Sequence, residues 1–431
     1  MSDLKNDEKD EEAKNEPLII DQSGEVPQKR ILIYYILTVG AILLIVIIVL
    51  IVAIKIGGTP SEKNNSFLSK YISDDISKIK LFNSNIINSI SSMKIDNKEV
   101  NITDEYIFSS KGEHTVEVFL KDELISLEKL FEGCTNLTEC DLSKIISKNV
   151  VTIDGMFYDC IKIQSIDLSK LDTSKVENMS NIFNGCFNLE IINLSNLDTS
   201  NVKYMDFMFY ACINLKSLNL NNFNTRNVKN MTGMFYRCNS LEKLEISSFK
   251  TSEVLSMKMM FDSCISLSQL NLKHFDTSKV VDMSYMFASS PKLSSLELNY
   301  FKTKEVTRMN NMFYGCTSLK SIDLKSFDTS NLKEMGNMFY NCKNVESLDL
   351  SNFKTDNVEN MGAVFGKCQK LKYLDIRQFN SKKLKNKNNI FPDISEKGII
   401  YFNSNIFDKF LFNNTNIDNW NKNDIAYISN E

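Results

Sequence analysis

The stretch 230–254, NMTGMFYRCNSLEKLEISSFKTSEV, carries a methionine stripe at apparent helical spacing, and nearly the same line, YMDFMFYACINLKSLNLNNFNTRNV, occupies 204–228. Aligned on cysteine, the lines run Cys134, Cys160, Cys186, Cys212, Cys238, Cys264, then Ser290, Cys316, Cys342 and Cys368, each step being 26 residues, and the register continues to Ile394. Leucine or a relative follows each of these at +3, +6 and +8, an apolar residue at +11, threonine at +13, valine or leucine at +16, methionine at +19 and +22, and phenylalanine at +23. One example is Cys212, Leu215, Leu218, Leu220, Phe223, Thr225, Val228, Met231, Met234 and Phe235. A fixed period with fixed apolar columns predicts a solenoid, because each unit can bury its apolar face only on its neighbours.

Within a unit the spacing changes. Leu218-Asn219-Leu220 and Leu244-Glu245-Ile246 alternate as strands do. Val228, Met231, Met234, Phe235 and Cys238 fall on one face of a helix or of short helical turns. The expected fold class is therefore an α/β repeat solenoid, a short parallel strand plus a short helical segment per 26-residue coil. The Thr-Ser step would cap each helix, and Ser174 to Glu177 has capping-box spacing. The methionines read as flexible core filler stacked in columns, not as open metal ligands.

The line FDTSNLKEMGNMFYNCKNVESLDLSNFKT, residues 327–355, resembles the 26-residue repeat of bacterial surface proteins, a group related to the BspA-like leucine-rich repeats and found also in protist surface proteins. The likeness covers about residues 131–394 and rests on the Thr, Met-Phe, Cys and Leu-x-Leu positions together. It implies a leucine-rich-repeat-like solenoid displayed at a cell surface for adhesion or recognition, and it brings no catalytic residues. The lipid or wall anchors of some bacterial relatives do not carry over, since this chain has its own apolar segment.

That segment, 31–54, is a run of 24 residues without a charge. At about 1.5 Å per residue it spans a hydrocarbon core of roughly 30 Å, and it is too long for a signal-peptide core. The domain organisation expected is a cytoplasmic tail (1–30), a transmembrane helix (31–56), a spacer (57–104), the solenoid with its caps (105–407) and a C-terminal tail (408–431). Lys14, Lys29 and Arg30 on one side balance Lys55, Lys63 and Lys70 on the other. The short polar leader favours a plasma-membrane protein with the N-terminus cytoplasmic and the repeats outside. GIIYF at 398–402 reads as the strand closing the stack, with the Trp420 segment over the end coil.

Nine cysteines share one column, and Cys140 stands at +6. Disulfides need Cα atoms about 4.4–6.8 Å apart, closer than helical segments stack, so the thiols are expected to be buried and free. Sequons occur at Asn64, Asn101, Asn136, Asn178, Asn193, Asn230 and Asn413, about as many as chance supplies. Net charge is -4, which argues against nucleic acid, and with only His114 and His274 as histidines a catalytic triad or a multi-histidine metal site has little to build on.

The column that invites a functional reading is +7, pointing outward between the strand leucines: Asp141, Asp167, Asn193, Asn219, Glu245, Asn271, Glu297, Asp323, Asp349 and Asp375. Carboxylates on neighbouring strands repel unless lysines, cations or a ligand compensate, so a bound calcium or a basic or sugar-bearing partner would suit them. The plain alternative is a solvated polar face inherited from the repeat unit. With small +5 residues such as Ser165, Ser217, Ser295, Ser321 and Ser347 the face is flat, which suits an extended partner, a protein or glycan at a cell surface or matrix. Four readings follow: a surface binding protein, a self-associating structural coat, a cytoplasmic scaffold, and an enzyme, for which a regular array offers no converging pocket. The recurring Tyr210, Tyr236, Tyr314 and Tyr340 mark an alternative binding side.

Overall fold

The structure, a computed structural model, describes residues 65–408 and 416–424. In chain order its strands are β1 (Ser66–Ser73), β2 (Lys78–Lys80), β3 (Ile90–Ile95), β4 (Lys98–Val100), β5 (Glu105–Ile107), β6 (Gly112–Leu120), β7 (Leu137–Asp141), β8 (Ser165–Asp167), β9 (Ile191–Asn193), β10 (Ser217–Asn219), β11 (Lys243–Glu245), β12 (Ser347–Asp349), β13 (Tyr373–Asp375), β14 (Ile399–Phe402) and β15 (Asn421–Asp424). From β7 to β14 they recur with the repeat. Equivalent residues of successive coils pair in parallel, Leu218 with Leu244 and Leu348 with Leu374. Between Glu245 and Ser347 the strands lapse. A second line of parallel single-residue bridges runs unbroken from Ser126 and Thr152 to Asn360 and Asn386.

The α/β expectation is corrected here: the repeat is a β-solenoid, and the only helices among the described residues are the 3-10 turns Ser84–Ser89 and Asn416–Asn419, both outside it. The predicted helix fails because two residues in each coil are left-handed. Gly233 has φ 57° and Arg237 φ 61°, and the same two positions recur from Lys129 and Gly133 to Asn389 and Asp393. Each left-handed residue ends the preceding right-handed turn, so no run long enough for an i to i−4 ladder survives. Alternate N–H groups turn to the next coil: Met231 to Ser256 O (3.1 Å), Gly233 to Lys258 O (2.7 Å), Phe235 to Met260 O (3.0 Å) and Arg237 to Asp262 O (2.9 Å). Those between them close local turns, Tyr236 to Gly233 O (3.0 Å) and Cys238 to Phe235 O (3.1 Å). A non-glycine residue gives up about 1–2 kcal/mol in this conformation, and the inter-coil bonds offset it.

With no helix to cap, the threonines do something else. Thr277 is fully buried; its Oγ1 donates to Lys302 O (3.0 Å) and accepts from Lys302 N (2.8 Å), stapling one coil to the next. Thr173, Thr199, Thr225, Thr251, Thr303, Thr329 and Thr355 donate across the same boundary. In the supposed capping box, Glu177 N donates to Val151 O (2.9 Å) in the coil before.

No helix among the described residues is long and apolar enough to cross a membrane. The segment 31–56 predicted to do so lies outside the described residues, as do the tail 1–30 and the sequons Asn64 and Asn413.

The interior is built of columns. Phe131, Phe157, Phe183, Phe209, Phe235, Phe261, Phe287, Phe313, Phe339, Phe365 and Phe391 stack ring on ring with centroids 5.4–6.0 Å apart. The methionines at +19 and +22 are buried beside them. All ten cysteines are free. The helix-spacing argument for this does not hold, since the coils stack through β-type bonds. Instead the thiols donate: Cys238 Sγ to Phe209 O (3.1 Å), Cys264 Sγ to Phe235 O (3.2 Å), and likewise from Cys160 to Cys368. Ser290 fits the column because its Oγ donates to Phe261 O (2.8 Å) in the same way. Burial pushes the Cys238 and Cys316 thiols up to about 12, which leaves them protonated and inert.

Both ends are sealed. At the front an antiparallel sheet of order β4-β3-β6-β1-β7 covers the first coil, so the stretch read as a spacer carries β1 to β4 and the 3-10 turn Ser84–Ser89. At the back β14 is not the last strand: β15 pairs beyond it, and buried Trp420 donates Nε1–H to Ser395 O (3.0 Å). Within the front cap, His114 Nδ1 lies 2.8 Å from Asp96 Oδ2 and Nε2 lies 2.9 Å from Ser110 O. Both partners accept only, so both ring nitrogens must donate and the ring must be charged. Burial pulls the His114 pKa down, but the Asp96 and Ser110 hydrogen bonds outweigh it and the net shift is upward. The clamp's stabilisation is thus complete below the unfolded value of about 6.5 and is lost as pH rises through the higher folded value. The protection factors of the β3–β4 amides, their exchange rates taken against the intrinsic rate at each pH, should fall over that rise in the native chain, and His114→Gln should make them independent of pH across it.

Candidate recognition face

On the strand side, +6 and +8 point inward, and Leu218 and Leu220 are buried. The +7 side chains between them point out, and their chemistry is set by the turn that follows. Asp167 Oδ1 accepts from Ser169 N (2.8 Å), Asn219 Oδ1 from Asn221 N (3.0 Å), Asp323 Oδ1 from Lys325 N (3.1 Å) and Asp349 Oδ1 from Ser351 N (3.1 Å). Asp141, Asn193, Asn271 and Asp375 do the same. This is the Asx turn, open to Asn and Asp because their short side chains reach the N–H two residues on. Hydrogen bonds from Ser143, Ser169 and Ser351 hold Asp141, Asp167 and Asp349 below the usual carboxylate range. Glu245 and Glu297 are too long for the turn and instead meet Lys243 (3.4 Å) and Lys273 (2.7 Å).

The structure thus brings the ten residues into one row, but not as ten equal sites. Asp375 is 1% exposed and locked by Arg377, so it cannot meet a partner freely. The repulsion expected along the row is relieved by lysines on the same face, including Lys325 at 4.0 Å from Asp349. Among the described residues no three His, Cys, Asp or Glu side chains come together as a metal site. Shallow recesses mark the row: one at Asp141, Ser165 and Asp167, one at Asn193, Ser195, Ser217, Asn219, Asn221 and Asn222, and one where the strands lapse, among Lys243, Glu245, Gln269, Asn271, Lys273 and Glu297.

The opposite, tyrosine-bearing side is tied into its own stack. Tyr210 and Tyr236 lie 5.0 Å apart, Tyr314 and Tyr340 lie 5.3 Å apart, and Arg237 and Lys367 sit over Tyr236 and Tyr340. Residues that sequence reasoning missed are the +10 donors, which bind the preceding coil: Asn222 Nδ2 to Leu194 O (2.8 Å), His274 Nε2 to Ile246 O (2.8 Å) and Asn352 Nδ2 to Phe327 O (2.8 Å). Their residue types vary, and only the shared ability to donate marks them.

The family model described as "Mycoplasma protein of unknown function, DUF285" matches residues 125–243, 210–321, 290–399 and 349–430, and the "BspA type Leucine rich repeat region (6 copies)" matches residues 63–178. No curated protein matches the chain. Among solved structures, a leucine-rich repeat protein from Eubacterium ventriosum is 14% identical over 58% of this chain and 73% of its own, with a TM-score of 0.27. The TLR13–ssRNA13 complex is 17% identical over 64% of this chain, which spans only 42% of that one, with a TM-score of 0.26. Both likenesses are too loose to carry a ligand over. The repeat matches run from residue 125 to residue 430, so the chain belongs to the DUF285 family, on the BspA-like leucine-rich repeat plan.

Proposed function

We propose that the chain is a cell-surface recognition protein: the solenoid presents its strand face to a macromolecular partner, a protein or glycan, and the uncharged run 31–54 holds it at the plasma membrane with the N-terminus cytoplasmic. The observation that carries the reading is the outward row from Asp141 to Asp349, whose Asp and Asn side chains are oriented by their own turns before any ligand arrives. Preorganised polar groups on a rigid, repeated frame bind an extended partner at low entropic cost. The compact unit Asn64–Glu431, purified, should bind foreign cell or matrix surfaces. Binding only to itself would favour a self-associating coat, and survival of the repeats when intact cells are treated with protease would refute surface display.

The charge of the row can be tested without breaking its turns, because asparagine serves the turn as well as aspartate. In Asp323→Asn with Asp349→Asn, a basic partner should lose about 0.2–1 kcal/mol per exposed charge, roughly 2- to 30-fold in Kd for the pair. Surface plasmon resonance against the captured partner reads this, and an unchanged Kd would move the contact off the acidic coils.

A further inference from the structure

We propose that the recess at coils 186–222 is a subsite for one or two residues of a neutral glycan. This rests on the strand face being the recognition face, and it narrows the partner to one chemical class at one place. Its polar lining is Asn193, Ser195, Ser217, Asn219, Asn221 and Asn222, and the exposed Ile191 stands beside it at the head of β9. No charged side chain lines the recess, in a chain where lysine and carboxylate pairs cover much of the rest of the surface.

Its amides are each used once by the fold and left once for a ligand. Asn219 Oδ1 accepts from Asn221 N (3.0 Å), which fixes the amide plane and leaves Nδ2 facing out. Asn221 Oδ1 accepts from Ser247 N (2.8 Å) and Ser247 Oγ (2.9 Å) in the next coil, again leaving Nδ2. Asn222 is turned the other way: Nδ2 donates to Leu194 O (2.8 Å) and Ser195 O (3.3 Å), so Oδ1 remains. The backbone donors and acceptors dictate these orientations. What is presented is two fixed donors, one fixed acceptor and the hydroxyls of Ser195 and Ser217, which can do either. Sugar hydroxyls both donate and accept, and they match such a mixed set.

Ile191 supplies the other half. It stands on the outward face two residues before Asn193, between Ser165 and Ser217 in the serine-rich +5 column, and is 68% exposed. A lone aliphatic shelf beside a charge-free amide cluster fits the C–H face of a pyranose. A charged ligand would find no counter-charge there.

The test titrates the full chain with chitohexaose, cellohexaose and mannohexaose, using a heparin hexasaccharide as the charged control. The variant is Asn219→Asp with Asn221→Asp: aspartate keeps each Oδ1 acceptor, as Asp167 and Asp323 do at the position of Asn219, and replaces the two outward donors by carboxylate oxygens. At least one neutral hexasaccharide should bind in the submillimolar range, the variant should weaken it tenfold or more with an unchanged melting curve, and Ile191→Asp should do likewise. No neutral hexasaccharide binding, equal binding by the variant, or preference for heparin would overturn the subsite. Loss of cell binding in Asp323→Asn with Asp349→Asn alongside silent hexasaccharides would sink the subsite and leave the surface reading standing. Hexasaccharide binding without cell binding would do the reverse.

Discussion

Phe261→Ala should destabilise the solenoid by about 3–5 kcal/mol, a large part of the roughly 5–15 kcal/mol that holds a typical folded chain together. The ring is fully buried and stacks on Phe235 at 5.6 Å and Phe287 at 5.9 Å, so its removal leaves a cavity bounded by three coils. Those coils cannot collapse into the space independently. The backbone on either side is held by Phe235 N to Met260 O (3.0 Å) and Phe261 N to Met286 O (2.9 Å), at a spacing every other column shares. Because each coil contacts chiefly its neighbours, the loss should be local before it is global. Hydrogen exchange should show coils 238–290 losing protection ahead of both ends, and urea unfolding should show a shallower transition as cooperativity breaks. Phe261→Leu keeps much of the volume and should cost markedly less. A penalty below about 1 kcal/mol for alanine would mean that the column does not carry the core.

That column was readable in the sequence because burial imposes residue type. Phenylalanine at +23, leucine or isoleucine at +8 and mostly methionine at +19 recur because the same interior slot has to be filled in coil after coil. Type alone could not fix the backbone between them. Val228, Met231, Met234, Phe235 and Cys238 have helical spacing, yet a chain of turns with left-handed residues at Gly233 and Arg237 presents the same side chains inward. The sequence held a hint: +21 and +25 are rich in Gly, Asn and Asp, as at Gly155, Asn181, Asp159, Asn337 and Asn341, which are the residues that enter this conformation most cheaply. Phe207, Met259 and Tyr285 in the same column blur it, because inter-coil bonds hold them there against their preference.

The front cap was half visible. HTVEVFL alternates as β6 does, whereas its partner β1 pairs across a gap of some forty residues that no local pattern encodes. The candidate row followed the same division. Its composition was plain, but its cause, a turn closed by each Asx side chain, emerges only when Oδ1 and the N–H two residues on are seen together. The cause also separates the row's members, since Asp375 is consumed by Arg377 while Asn219 keeps a donor free.

Thr277→Val should cost about 2–4 kcal/mol although the two side chains have nearly the same shape. Thr277 Oγ1 is the partner of both backbone groups of Lys302, accepting from its N–H (2.8 Å) and donating to its C=O (3.0 Å), and Thr277 itself is fully buried. Valine removes both bonds at once, and each backbone group left unpaired in the interior costs about 1–3 kcal/mol, partly offset by roughly 0.8 kcal/mol for an added methyl. Thr277→Ser keeps the hydroxyl and loses only that methyl, so its cost should stay near 1 kcal/mol. Serine already fills the column at Ser147, whose Oγ accepts from Asp172 N (2.8 Å), and at Ser381. Equilibrium denaturation of the two variants side by side measures the difference. If valine proves as mild as serine, the threonine column is packing and the coils are joined by their backbones alone; if it is severe while serine is mild, the hydroxyl is what couples one coil to the next.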